Sequence, residues 1–373
     1  MRRLLLFACA LAVGVLSAAD GFDTSVDRSD PKFVTASLMT TGPGETLFSC
    51  VGHAFIRLEC PHYKLDYCFS YESEGVRDRL AAFFAGRLKM GLFAVPTEEF
   101  LSEYRRDGRG VWQYELNLPP DVEQRLWKIM DERAAEGANL PYDYNRRGCA
   151  KSAWLCIREA LEGAAVEYAP WNPATSPSRR EKFNELLAKT HPWNLLFLNA
   201  IVGTETDNFE EVVTPKDLVA VLRKTRVGGV PLIVGEGRQV AARTLADRPV
   251  AVTPLAAAIG FLVVCIAGVF WKKPYLGWAL VALQAAAGCF FLYLMTASRL
   301  PTSSWNWLIV PFNPLPLVFW RWRRRWGRWA AAGLAVWAVA MLAAPHQLTD
   351  PAFVVLALGF AVGFVGLWYN RPR

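Results

Sequence analysis

Histidine is scarce in this chain, with four residues in 373. No His-Glu-x-x-His, paired Cys-x-x-Cys or cysteine–histidine cluster occurs, so a zinc enzyme has nothing to be built from and no metal is expected. Gly-x-Ser-x-Gly elbows and phosphate-binding glycine loops are also missing, which removes the serine α/β-hydrolases and the P-loop nucleotidases. No internal repeat or low-complexity tract appears, and no cofactor is implied. The net charge of +7 does not mark a nucleic-acid binder. Much of the excess lies in "RWRRRWGR", Arg321 to Arg328, between apolar stretches, where it reads as a cytoplasmic loop beside anionic headgroups.

What the chain does have is two unlike halves. "MRRLLLFACALAVGVLSAAD" carries two arginines, an apolar run and Ser17-Ala18-Ala19, the pattern of a secretory signal peptide, residues 1–19. Residues 20–249 form an ordinary mixed globular segment, and residues 250–373 are largely apolar. Apolar spans run at about 250–271, 275–296, 329–345 and 351–369, each near the roughly 20 residues a bilayer core requires. Between them "WNWLIVPFNPLPLVFW" is broken by Pro311, Pro314 and Pro316, and reads as a kinked fifth span or a re-entrant segment. The positive loops Lys272-Lys273, Arg321–Arg328 and the Arg371–Arg373 tail are assigned to the cytoplasm, which places the soluble domain in the periplasm of a bacterial inner membrane. Asn306 and Asn313 are amides at membrane depth, candidates either for helix packing or for substrate contact.

In the exported half, "KFVTASLMTT", "HAFIRLEC", "KLDYCFSYE" and "GVWQYELNL" read as strands. "VRDRLAAFFAGR" and "PPDVEQRLWKIMDERAAEG" read as helices, and a third follows Gly148 with apolar positions at Ala153, Trp154, Ile157, Ala160 and Leu161. The class is α+β. Five cysteines fall in this half, an odd number for an oxidising compartment, with Cys60 and Cys68 candidates for clipping a hairpin. Cys149 lies at the first turn of the third helix, where unpaired N–H groups and the dipole favour a thiolate, and Arg146, Arg147 and Lys151 are expected to push the same way. Among the exported histidines, His62 sits in a turn, His191 precedes a proline, and His53 stands on a strand next to glycine. A Cys149–His53 nucleophile–base pair is the resulting expectation. Asp66 or Glu72, on the next strand, are candidates for a third, orienting group, and Glu45 for a turn or substrate contact.

The blocks "ASLMTTGPGETLFSCVGHAFIRL", "YDYNRRGCAKSAWLCIREAL" and "FLNAIVGTETDNFEEVVTPKDL", followed by "WNWLIVPFNPL", resemble the DUF4105, or Lnb N-terminal periplasmic, family. The resemblance implies a circularly permuted papain-like (NlpC/P60-like) periplasmic domain followed by an all-α transmembrane bundle of about five spans. It implies His53 as base and Cys149 as nucleophile. Gly148 stands where that pattern leads one to expect asparagine. Members of known activity are Bacteroidota-type lipoprotein N-acyltransferases, so the implied partners are a phospholipid acyl donor, a diacylated lipoprotein acceptor and the membrane. The alternative is a periplasmic cysteine peptidase or amidase acting on cell-envelope substrates.

Overall fold

The computed structural model describes residues 26–73, 79–143, 146–246, 250–270, 275–300, 305–318, 323–343 and 350–369. The expected signal peptide, the Lys272-Lys273 loop, Arg321 and the C-terminal arginines lie outside these residues.

The soluble domain is built on a seven-stranded antiparallel sheet. Its strands are β1 (Thr35–Thr41), β2 (His53–Cys60), β3 (Leu65–Ser73), β4 (Lys89–Pro96), β5 (Val111–Glu115), β6 (Leu140–Pro141) and, after three short strands elsewhere, β10 (Arg238–Ala241), in the order β10-β5-β1-β2-β3-β4-β6. The short strands β7 (Val166–Glu167), β8 (Arg226–Val227) and β9 (Val230–Pro231) make a separate small sheet. Strand β4 and the helix after it, Thr97–Arg106, are additions to the sequence reading. "KMGLFAVP" does not alternate cleanly because its buried residues, Met90, Gly91 and Leu92, are consecutive.

One sheet face, carrying Ala36, Leu38, Ala54, Ile56, Leu58, Phe69 and Tyr71, packs on the helices Pro120–Ala135, Cys149–Ala160 and Pro215–Lys224. The other carries Met39, Phe55 and Cys68 and is covered by Phe100, Leu101 and Tyr104 of Thr97–Arg106. Cover on both sides explains why β1 is buried almost throughout. Its polar Ser37 is tolerated because Gln113 Nε2 donates to the hydroxyl at 2.9 Å.

The Cys60–Cys68 clip does not form, and all seven cysteines of the described residues are free thiols. In the β2–β3 ladder Arg57 pairs with Cys68 and Cys60 pairs with Leu65, so the two thiols point to opposite sheet faces.

The C-terminal part is helical: Pro254–Phe270, Tyr275–Thr296, Arg323–Ala343 and Pro351–Tyr369. Of these, Tyr275–Thr296 has the length and apolarity to cross a bilayer by itself among the described residues, and three others contain shorter apolar stretches. The proline-rich segment is not a continuous span. It forms a single 3-10 turn, Trp307–Ile309, and a four-residue helix, Leu315–Val318. Freed backbone groups at such a break need partners, and Gln284 supplies one by donating to the Pro311 carbonyl at 2.7 Å.

The two parts touch closely. Phe83, Leu88, Ile201 and Val202 of the soluble domain share one apolar cluster with Phe291, Leu300, Leu308 and Phe312. Ser298 Oγ donates to the Phe84 carbonyl at 2.6 Å, and Thr204 N donates to the Trp305 carbonyl at 2.8 Å. Gly86, with φ of +66°, lets the chain turn against Arg299 and Leu300, whose backbone atoms would lie 2.2 Å from any Cβ.

Candidate active site

The helix Cys149–Ala160 starts without a side-chain cap, because Gly148 occupies the capping position. Its first N–H groups are therefore left for other acceptors. The apolar stripe Ala150, Ala153, Trp154, Ile157 and Ala160 presses the helix onto the sheet. That docking carries its N-terminal turn to the beginning of β2. There backbone hydrogen bonds from Ala54, Ala150 and Cys149 itself reach the Cys149 sulfur.

His53 opens β2 directly after Gly52. Gly52 has φ of +81°, and a Cβ there would stand 2.6 Å from the Thr41 carbonyl oxygen, so the tight entry into the strand requires glycine. His53 and Cys149 line one cavity of about 320 Å³, together with Tyr71, Glu72, Tyr104, Arg109 and Arg147. Its other wall is apolar and includes Phe48, Phe83, Leu187, Leu198 and Ile201. Phe83 and Ile201 belong to the cluster shared with the C-terminal helices, so this wall continues into the junction between the two parts.

His53 Nε2 lies 2.7 Å from Ser70 Oγ. The Ser70 hydroxyl also interacts with the Glu72 carboxylate and favours its charged form, against burial, which raises the Glu72 pKa overall. Ser70 is thus the group that touches the imidazole, with Glu72 behind it. The sequence reading missed Ser70. Its signal is the period of two: Ser70 and Glu72 share the face of β3 that adjoins His53, Phe55 and Arg57 of β2.

Of the other expected residues, Asp66 is not at the cavity. It accepts two 2.8 Å hydrogen bonds from Arg57 and one from Thr97 at 2.5 Å, at the far end of β3. Glu45 is on an exposed loop and does not line the cavity. Asn306 is buried, donates to the Ala200 carbonyl at 2.7 Å and accepts from Leu308 N at 3.0 Å. Asn313 donates to the Val310 carbonyl at 2.8 Å and accepts from Leu315 N. Both amides therefore tie the broken segment together, and Asn306 also ties it to the soluble domain. His62 stacks edge-on against Tyr63 in an exposed turn, and His191 begins the helix Pro192–Ile201.

The electrostatics differ from expectation. Burial pushes the Cys149 thiol up in pKa, and the three backbone hydrogen bonds offset this only in part. Burial, with Arg109 adding to it, pushes His53 down to about 3. Both shifts favour the uncharged forms, a thiol and a neutral imidazole, over a thiolate–imidazolium couple. Two of the expected cations are engaged elsewhere: Arg146 with Glu205 at 2.5 Å and Lys151 with Glu210 at 2.8 Å. Arg147 remains at the cavity, and Arg109, not foreseen from the sequence, is a half-buried cation that also lines it.

Two family domains match the chain. The Lnb N-terminal periplasmic domain covers residues 22–174 and the Lnb transmembrane domain covers residues 246–367. The chain belongs to the Lnb family. It is accordingly a membrane protein with a periplasmic N-terminal part. No curated protein and no solved structure matches it. Cys149 and His53 both fall within the span of the Lnb periplasmic domain.

Proposed function

We propose that this protein is a lipoprotein N-acyltransferase of the inner membrane. It takes a fatty acyl chain from a phospholipid onto Cys149 and hands it to the α-amine of a diacylglyceryl-cysteine lipoprotein. The observation that carries this reading is the cavity itself, polar around Cys149 and His53 and apolar on the wall that continues into the cluster shared with the C-terminal helices. An acyl chain arriving from the bilayer meets apolar surface up to the thiol, whereas a soluble wall peptide has no use for such a wall.

In the first half-reaction the Cys149 thiol gives its proton to His53 as sulfur attacks the ester carbonyl. The tetrahedral oxyanion collapses, the C–O bond breaks, and His53 returns the proton to the departing lysophospholipid alkoxide, leaving a thioester. In the second, the lipoprotein amine attacks the thioester carbonyl and loses a proton to His53. The C–S bond then breaks, and the thiolate takes that proton back. Ser70 orients the imidazole throughout. The order of a histidine strand before a cysteine helix supports the circularly permuted papain-like fold as part of this reading. With the broken proline-rich segment counted as a crossing, this reading includes a bundle of about five spans and, from the positive loops, a cytoplasmic C-terminus.

The test uses the full chain and Cys149→Ser in cells depleted of their own lipoprotein N-acyltransferase, with the N-terminal peptide of a reporter lipoprotein weighed by mass spectrometry. A third acyl chain with the parent and none with the variant is expected. Diacyl product from both at comparable expression sinks the reading and turns attention to an envelope peptidase or amidase.

A further inference from the structure

We propose that Arg109 is the anion anchor of this cavity and receives the phosphodiester of the acyl donor, an assignment that rests on the acyl-transfer reading above. Its guanidinium is held rigidly by neutral partners. Nη2 donates to Thr41 Oγ1 at 2.6 Å and to the Gly42 carbonyl at 3.0 Å, Nε donates to the same carbonyl at 3.2 Å, and the plane lies 4.9 Å from the centre of the Tyr104 ring. These contacts, made through Nε and Nη2, fix the group without neutralising it. Among the described residues no carboxylate forms an ion pair with Arg109. Glu72, the carboxylate lining the cavity, acts on Ser70 and Cys149 instead.

Burial disfavours the charged form of Arg109, and Tyr104, Asp107 and Cys149 offset this only in part, so the fold carries this cation at a cost. A half-buried cation of this kind is expected to meet an anion when the site is occupied. The anion is identified by what surrounds it. Phe48, Phe83, Leu198 and Ile201 line the same cavity as Arg109, so the space suits an amphiphile with an anionic head and apolar chains. In a phospholipid the ester carbonyl lies between the phosphate and the acyl chains. With phosphate at Arg109 and chains on the apolar residues, that carbonyl falls between them, in the cavity that Cys149 also lines. The acceptor brings an ammonium group, which Arg109 repels and Glu72 attracts. Arg109 therefore distinguishes donor from acceptor in a cavity that serves both.

The test is protection of Cys149 from iodoacetamide in the detergent-solubilised full chain, read by peptide mass spectrometry so that Cys149 is separated from Cys50, the other thiol at the cavity. The probes are a short-chain phosphatidylglycerol with ether in place of ester linkages, which cannot acylate the thiol, the matching dialkylglycerol without phosphate, and inorganic phosphate. In the parent the ether phospholipid is expected to protect at lower concentration than the phosphate-free lipid. In Arg109→Gln its half-protecting concentration rises about tenfold to a hundredfold, the range for losing a charged hydrogen bond, and Arg109→Lys falls between. An equal shift for both lipids makes Arg109 a structural clamp and overturns the assignment. Protection by inorganic phosphate with none by the phospholipid also overturns it, in favour of a free-anion site. Acyl transfer by the parent is scored separately, so failure of the function leaves the binding result standing.

Discussion

Ser70 Oγ stands 2.7 Å from His53 Nε2 and is fully buried, on the strand next to the one that His53 opens. A hydroxyl, not a carboxylate, is in direct contact with the imidazole. Such a partner holds the ring without adding a negative charge in contact with it, consistent with an imidazole held neutral.

Removing that hydroxyl tests its role as a positioning group. Ser70→Ala is expected to lower acyl transfer roughly tenfold, the value of one net hydrogen bond of about 1.4 kcal/mol, while His53→Gln costs about a hundredfold or more. Ser70→Thr, which keeps the hydroxyl, restores most of the loss. If Ser70→Ala and Ser70→Thr are equally impaired, packing and not the hydrogen bond is responsible.

The pH dependence of Cys149 alkylation separates a neutral pair from an ion pair. Because burial raises the thiol pKa and holds His53 near 3, the thiolate fraction rises steadily as pH increases toward the thiol pKa. The alkylation rate should therefore climb about tenfold per pH unit between about 6 and 8, with no inflection near the ordinary histidine value of about 6.5. A plateau from mildly acidic to neutral pH would mean a thiolate–imidazolium pair.

Glu123 sets a second pH response, this time in stability. Its buried carboxyl accepts a hydrogen bond from Ala36 N at 3.2 Å, and burial pushes its pKa up to about 8. The folded state thus holds a proton that the unfolded chain releases above about 4.3. The stabilisation is complete below the unfolded value and is lost as pH rises through about 8. Glu123→Gln should raise the melting temperature at pH 9 relative to the parent and change it less at pH 5. Thermal unfolding followed by tryptophan fluorescence gives the comparison, and a pH-independent difference between the two proteins refutes it.

Gly86 tests the coupling of the two parts of the molecule. A Cβ there would meet the backbone of Arg299 and Leu300 at 2.2 Å, and the positive φ adds strain. Gly86→Val is expected to part the soluble domain from the 298–300 segment and to depress acyl transfer, while soluble iodoacetamide still reaches Cys149. Equal loss of both activities would point to unfolding of the domain instead.

The elements around Cys149 show how far local pattern reaches. The helix beginning at Cys149 was legible from its apolar spacing and from Gly148, and the strand beginning at His53 from its alternation after Gly52. The neighbouring strand "KMGLFAVP" was not, because its buried residues run consecutively and its hydrophobic pattern carries no period. Asp66 and Glu72 looked equivalent as candidates on one strand and one face. The β2–β3 register separates them, leaving Asp66 to Arg57 and Thr97 and bringing Glu72 to the cavity.

By itself the sequence determined the α+β half, the apolar C-terminal half and which cysteine and histidine to propose as nucleophile and base, since hydrophobic periodicity and residue chemistry are local properties. Tertiary structure alone decided that Ser70 touches His53, that Arg109 is a half-buried cation of the cavity and that Arg146 and Lys151 are spent on Glu205 and Glu210. Partners of this kind come from residues far apart in the chain. Their effect on a proton depends on burial, and burial exists only once the sheet, its helices and the C-terminal part have packed together.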